Sequence, residues 1–293
     1  MHVLLTGSTG FIGSALLAAA RGNGHEVTAL VRSEDGAARA RAVGARPVLG
    51  DMRDHGLIAR LAGDAEAVVH TASPGDATSR DAEVEFADAV LAGFGDREAV
   101  FVRTGGIWIH GPGANLTEDT PHNPPSLVAW RSEIDERILA TPGIRAILVE
   151  PAIVYGHGDG IPNTVTRADD TGTPPGVQLV GDGSQHWGTV HVDDLADLYV
   201  LALEQAPHGS VYLAASGQNP TVRELGEAAS RTRGLDGQVT PESAEATIAR
   251  LGAFGEALLL DQQASGARAR SRLGWSPTRP SLLAEIEDGR YTD

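Results

Sequence analysis

The chain has 293 residues with 23 basic and 39 acidic side chains, a formal net charge of −16, and every basic residue is arginine. Without lysine there is no Schiff-base or pyridoxal chemistry, no P-loop lysine and no Tyr-Lys proton relay. Without cysteine there are no disulfides, no thiol catalysis and no zinc-thiolate site. The acidic balance argues against nucleic acid or an anionic membrane surface as partner, because both need clustered positive charge. No run of about 18 apolar residues exists, and the turn at Thr6-Gly7-Ser8-Thr9-Gly10 comes too early for a signal peptide. The expectation is a cytoplasmic α/β protein, monomer or homodimer, acting on a small molecule.

In chain order, short apolar runs at His2–Thr6, Glu26–Val31, Arg46–Leu49, 67–71, Val100–Thr104 and 144–150 alternate with Ala/Arg/Glu-rich stretches of helical length. Such runs indicate a doubly wound parallel sheet covered on both faces. A Gly/Pro/Thr/Asp-rich segment, 156–176, reads as a substrate-side loop. After it come strands at 177–180 and 189–192, a helix over 193–204 and a strand at 211–214. The division expected is a Rossmann-type nucleotide-binding domain, 1–150, and a smaller substrate lobe, 151–293. Segments around 189–214 are expected to return to the main sheet.

The first strand leads into Gly7-Ser8-Thr9-Gly10-Phe11-Ile12-Gly13. The first glycine permits the strand-to-helix turn, the second lets backbone approach a pyrophosphate, and the third lets helix and sheet pack closely. This Thr-Gly-x-x-Gly-x-x-Gly spacing resembles the extended or atypical short-chain dehydrogenase/reductase superfamily, the epimerase/dehydratase-like proteins. The resemblance continues through Gly50-Asp51-Met52, Val68-Val69-His70-Thr71-Ala72-Ser73, Glu150-Pro151-Ala152-Ile153-Val154-Tyr155-Gly156, Val190-His191-Val192-Asp193-Asp194 and Leu273-Gly274-Trp275. It implies a cofactor site of Gly7, Thr9, Gly10, Phe11, Ile12, Asp51, Met52, Thr71, Ala72, Ser73, Thr104, Pro151, Ala152 and Ile153. At the second strand's end, Arg32 and Ser33 replace the acid that binds a ribose 2′-hydroxyl, which favours NADP(H). The alternative is a solvated Arg32 whose charge is blunted by Glu34 and Asp35.

The resemblance also implies a Ser/Thr after the fifth strand and a Tyr-x-x-x-Lys on the next helix. Here glycine stands at Gly105 and Gly106, leaving Thr104 as the hydroxyl. Val128 or Ala129 falls at the tyrosine position and Ser132 or Glu133 at the lysine position. Leu127, Trp130, Ile134 and Ile138 form an apolar stripe at helical spacing, which makes Trp130 a core residue. The arginine that clamps a sugar-nucleotide diphosphate is replaced by Trp187, either a surface for a flat ligand or packing under a loop. His110, His157 and His186 fall in loops near the expected cleft without metal-ligand spacing. Thr104 and Ser73 are the candidate catalytic hydroxyls. Gly105, Gly106, His110, Tyr155, His186 and Trp187 are the candidate substrate contacts, and no metal is expected. The chain thus reads as an NADPH-dependent ketoreductase of a bulky aromatic metabolite, and it resembles polyketide tailoring ketoreductases of the simocyclinone (angucyclinone) type. A phenol on the substrate is expected to supply the proton, since no spacing singles out a histidine. A redox-inactive NADP-binding regulator and a non-redox cyclase or isomerase are the alternatives.

Overall fold

A computed structural model describes residues 1–291, so positions 292–293 of the expected lobe lie outside the described residues. The apolar runs form β1 (His2–Thr6), β2 (Glu26–Val31), β3 (Arg46–Leu49), β4 (Ala67–His70), β5 (Val100–Thr104), β6 (Arg145–Pro151) and β7 (Ser210–Ala214). They make one parallel sheet in the order β7-β6-β5-β4-β1-β2-β3. Strand direction of growth reverses between β1 and β4, and in such sheets the crevice for a ligand opens at the carboxyl ends beside that reversal.

The period of two along each strand sorts side chains to opposite faces. Val3, Leu5, Val69 and Val102 pack on one side, under α1 (Phe11–Gly22). α2 (Glu34–Ala42) joins that side through Ala37 and Ala40, whereas Leu4, Val68 and Phe101 pack on the other, under α3 (His55–Asp64) and α4 (Ser79–Phe94). The second layer is completed by Ile134 and Ile138 of α5 (Arg131–Leu139), and the first by Leu195, Leu198 and Leu203 of α6 (Val192–Gln205). Both faces are therefore dry, which is why these strands carry few polar residues. A third apolar cluster, including Ile153, Tyr155, Val177, Leu179, Trp187, Leu225 and Leu258, is the core of the smaller C-terminal region.

Three expectations change. Ser210–Ala214 does join the main sheet, but Thr189–His191 pairs with Ile153–Gly156 in a separate three-stranded sheet. The 156–176 segment is not a plain loop: Asp159–Gly160 pairs with Ile153–Gly156, Asn163–Thr166 is a helical turn, and Asp170–Thr171 pairs with Gly176–Gln178. The helical spacing expected from Leu127 becomes helix only at Arg131, because residues 125–131 close tight turns (Val128 N to Pro125 O, 3.1 Å; Arg131 N to Val128 O, 3.0 Å). Leu127 is consequently exposed, and Trp130 is only partly buried, with the Arg131 guanidinium 4.9 Å from its ring centre. Among the described residues no helix is long and apolar enough to cross a membrane.

Candidate active site

A cleft of about 510 Å³ lies at the carboxyl ends of β1, β2 and β4. Its lining includes Gly7, Thr9, Gly10, Arg32, Asp51, Met52, Thr71, Ala72 and Ser73, so most of the cofactor set expected from sequence meets in space. Gly7 has φ +74°, in the left-handed region that favours glycine. A Cβ on Gly13 would sit 2.0 Å from the Gly7 carbonyl oxygen, so this helix can approach the turn only with glycine there. Thr71 secures the same contact from below, its hydroxyl donating to Thr6 O at 2.8 Å.

The α1 N-terminus opens on this cleft, and Gly10 offers no side chain to cap it. Ser8 Oγ is buried without a hydrogen-bond partner. Orphan N–H groups at a helix start together with an unpartnered buried hydroxyl are what a bound pyrophosphate would satisfy. The residues present fit a dinucleotide. Phe11 and Ile12 belong to the first helical turn rather than to the cleft wall. Ser33 turns away, its hydroxyl accepting from Gly36 N at 3.1 Å to cap α2. Arg32 lines the cleft and, among the described residues, forms no ion pair. Asp35, a residue expected to blunt it, is held by Arg39 at 3.1 Å. A second guanidinium, Arg53, stands on the same wall and donates to Thr78 Oγ1.

The ends of β5 and β6 are built differently. Thr104 Oγ1 donates to His70 O (2.7 Å) and contacts Tyr199 Oη on α6 (2.6 Å), so its hydroxyl is committed inside the fold. Burial pushes the Tyr199 hydroxyl above its ordinary range. Behind Thr104 runs a buried ionic chain. His70 Nε2 meets Glu83 at 3.1 Å, Arg103 Nη2 meets Glu83 at 3.2 Å, and Arg103 Nε donates to Asp135 at 2.8 Å. Arg131 donates to Thr104 O at 3.2 Å. Burial alone would raise the Glu83 carboxyl, but His70 and Arg103 outweigh it and hold it at about 2. Asp135 is pushed up to about 6 by burial against the pull of Arg103 and Arg131.

The expected substrate contacts divide. Gly105 and Gly106 lie side by side at the end of β5, next to β6. A Cβ on Gly105 would meet Glu150 Cγ at 3.0 Å, whereas one on Gly106 meets nothing nearer than Pro151 O at 4.0 Å. His110 is buried and paired with Glu150 at 2.9 Å. Ser73 is exposed on the cleft wall. Pro151, Ala152 and Ile153 are buried at the β6 end, tied down by Ala152 N to Ala214 O (3.0 Å) and Ile153 N to Gly188 O (2.9 Å).

Both aromatic candidates lie in the core, and for Trp187 the structure takes the packing alternative. Trp187 is 2% exposed, and its indole N–H donates to Leu258 O at 2.9 Å, so the ring fills the third apolar cluster instead of presenting a surface. Tyr155 is 1% exposed with its hydroxyl donating to Pro280 O at 2.8 Å, again a core position. His186 lies beside Trp187 and contacts Asp261 at 2.9 Å. His157, His191 and Asp193 come together, with candidate ligand atoms all within 4.8 Å of one another, a grouping that sequence spacing did not show. Mutual hydrogen bonding accounts for it: His157 contacts Asp193 at 3.0 Å, and Asp193 N donates to His191 Nδ1 at 3.1 Å.

Sequence reasoning passed over Tyr199, Glu83, Arg103, Asp135 and Glu150. A signal was present for some: Arg103 and Glu150 are charges inside strands that are otherwise apolar, and a charge buried in a parallel sheet needs a partner.

A parallel seven-stranded sheet with a glycine turn under a cleft of about 510 Å³ defines a Rossmann-like α/β protein. The chain belongs to the NAD dependent epimerase/dehydratase family, which it matches over residues 3–96 and 131–215. It is 31% identical to an uncharacterised protein of Schizosaccharomyces pombe, covering 99% of this chain and 100% of that one. It is 27% identical, over 86% of this chain and 80% of the other, to a Stigmatella aurantiaca ketoreductase of 4-hydroxy-2-methyl-3-oxo-4-farnesyl-3,4-dihydroquinoline-1-oxide. Among solved structures, dTDP-glucose 4,6-dehydratase from Streptomyces venezuelae with NAD bound superposes with a TM-score of 0.79. The identity there is 24%, with 99% of this chain and 96% of that one covered.

Proposed function

We propose that the protein is an NADPH-dependent ketoreductase acting on a bulky, aromatic, polyketide-like metabolite. The observation that carries this reading is Gly106. Its backbone is extended (φ 173°), a conformation open to any residue, and a Cβ there would find nothing within contact except Pro151 O at 4.0 Å. Neither conformation nor packing in the free protein requires glycine, so the space is assigned to a ligand larger than a side chain at this position would admit. The bound nicotinamide would supply a hydride, and Gly7, Gly10 and the α1 N-terminus would hold its pyrophosphate. Arg32, free of any protein carboxylate among the described residues, is the group for a 2′-phosphate. Absence of lysine removes the usual relay, and Trp187, buried, contributes nothing to the proposed substrate class. The ketoreductase relative supports the reaction type.

The experiment is NADPH oxidation across aromatic ketones and quinones, run beside UDP- and dTDP-sugars. Ketone-dependent oxidation is expected. Turnover of a nucleotide sugar at about 1 s⁻¹ or faster, an ordinary enzyme rate, would overturn the reading.

A further inference from the structure

Given the ketoreductase reading, on which this rests, we infer that the buried His110–Glu150 pair stores and delivers the proton of the reduction. The ring of His110 has an acceptor at each nitrogen. Nδ1 faces Thr120 O at 3.1 Å and Nε2 faces Glu150 Oε2 at 2.9 Å. A carbonyl oxygen only accepts, so Nδ1 carries a hydrogen. The Nε2–Oε2 contact then needs a second one, on nitrogen or on oxygen, because a bare ring lone pair against a carboxylate repels. The pair therefore holds one transferable proton, with both side chains almost wholly buried.

Its position gives that proton a use. Glu150 Cγ lies 3.0 Å and Leu148 Cδ1 3.3 Å from where a Gly105 Cβ would be, so a side chain at residue 105 would press on Glu150 and shift it by a few tenths of an ångström. Glycine at 105 leaves Glu150 in its present place against His110. Glu150 also immediately precedes Pro151, whose carbonyl borders the open space at Gly106. The exposed His122 ring packs edge to face on the His110 ring at 5.5 Å. Of the other charged groups facing the pair, Glu118 is held by Arg268 at 3.4 Å and Asp135 by Arg103. Burial works against a charged His110, but Glu150 outweighs it and holds the ring above its ordinary value.

Reduction of a ketone breaks the C=O π bond and forms a C–H bond from the hydride of a reduced nicotinamide and an O–H bond from a proton. Glu150 hands on that proton, the pair is left as neutral imidazole and ionised carboxylate, and a proton from solvent restores it after product leaves. A substrate phenol is then dispensable. An ion pair that merely ties the 105–123 segment to β6 would hold the same contacts but would not set the rate.

The test has two arms. In the cofactor-free protein, NMR titration of the imidazole C–H signals should show His110 protonated at pH 7, and Glu150→Gln should leave it neutral there. In turnover, Glu150→Gln should slow ketone reduction by about 10²- to 10⁴-fold, the usual worth of a positioned acid, with NADPH affinity kept. Unmutated enzyme should reduce a ketone whose neighbouring phenol is methylated, with kcat falling as pH rises through the His110 pKa. A neutral His110 beside an ionised Glu150, read from the imidazole and the carboxyl ¹³C signals at pH 7 in the unmutated protein, overturns the proposal even if the variant fails to fold. Normal turnover by Glu150→Gln together with a dead methylated substrate assigns the proton to the phenol and overturns it alone. No NADPH oxidation with any ketone overturns the ketoreductase reading first, and the donor with it.

Discussion

The two ends of the site are made from opposite materials. At the β1–β2–β4 end the structure is open, and its shape comes from backbone: a left-handed Gly7, a Gly13 pressed on the Gly7 carbonyl, and a helix start without a side-chain cap. At the β5–β6 end the polar side chains are turned inward and paired, Thr104 with Tyr199, Arg103 with Glu83 and Asp135, His110 with Glu150. The difference teaches that nucleotide binding and chemistry are separable here. Backbone geometry supports the first whatever side chains fill the second. The family match follows the same line, since the interval 97–130 that it skips contains β5, Gly105, Gly106 and His110.

If the two ends are separable, mutations should split into those that move stability and those that move cofactor affinity. The largest effect belongs to Arg103→Met. It strands Glu83 and Asp135 as buried carboxylates, and breaking a buried pair from one side costs about 3–5 kcal/mol. Urea denaturation of the cofactor-free protein should show that loss, and an unchanged midpoint would mean the network is not ionic.

Next comes acid sensitivity. The Glu83 carboxyl is lowered from 4.5 to about 2 in the folded protein, where burial is outweighed by His70 and Arg103. A depressed carboxylate stabilises fully above its unfolded value and loses that stabilisation as pH falls toward its folded one. The shift corresponds to roughly 3 kcal/mol. Asp135, raised from 3.8 to about 6 by burial, acts oppositely between those values. The Tm gap between unmutated protein and Glu83→Gln should therefore narrow as pH drops from 4.5 toward 2. A gap that ignores pH would show that Glu83 contributes by shape alone.

Arg32→Ala tests the other end. Losing a charge-assisted hydrogen bond of about 1.5–3 kcal/mol should weaken NADPH binding roughly 10- to 150-fold, with NADH affinity and Tm unmoved. Equal affinity of the unmutated protein for the two cofactors, read by fluorescence titration, would sink the assignment. The smallest effect is expected from Tyr199→Phe, which deletes one buried hydrogen bond to Thr104 and should lower stability by ~1 kcal/mol while leaving both affinities alone. A change in NADPH affinity in that variant would show the two ends to be coupled.

Much of the first end was legible in the residues themselves. Four of the strands keep the bounds that their apolar runs set, Gly7 and Gly10 lie where the turn spacing places them, and Asp51 and Thr71, implied by the family resemblance, line the same cleft. Local rules suffice there, because a tight turn selects glycine and a sheet dry on both faces selects apolar runs. Trp187 was not legible. An aromatic residue reads the same whether its ring faces a ligand or a core, and only the packing of Leu258 and its neighbours decides which. Thr104 shows the same limit, since its partner Tyr199 is 95 residues away.

Sequence by itself thus determined the class of fold, the place of the nucleotide turn and, through a chain with no lysine, the chemistry that is excluded. Tertiary structure alone decided which side chains are spent on one another. His110 and Glu150 lie 40 residues apart, at the end of a 3-10 turn (Ile107–His110) and in a strand, and became a buried pair only when β5 and β6 came side by side. Spacing along the chain encodes local geometry, whereas a hydrogen bond between distant elements depends on the whole packing that brings their atoms within 3 Å.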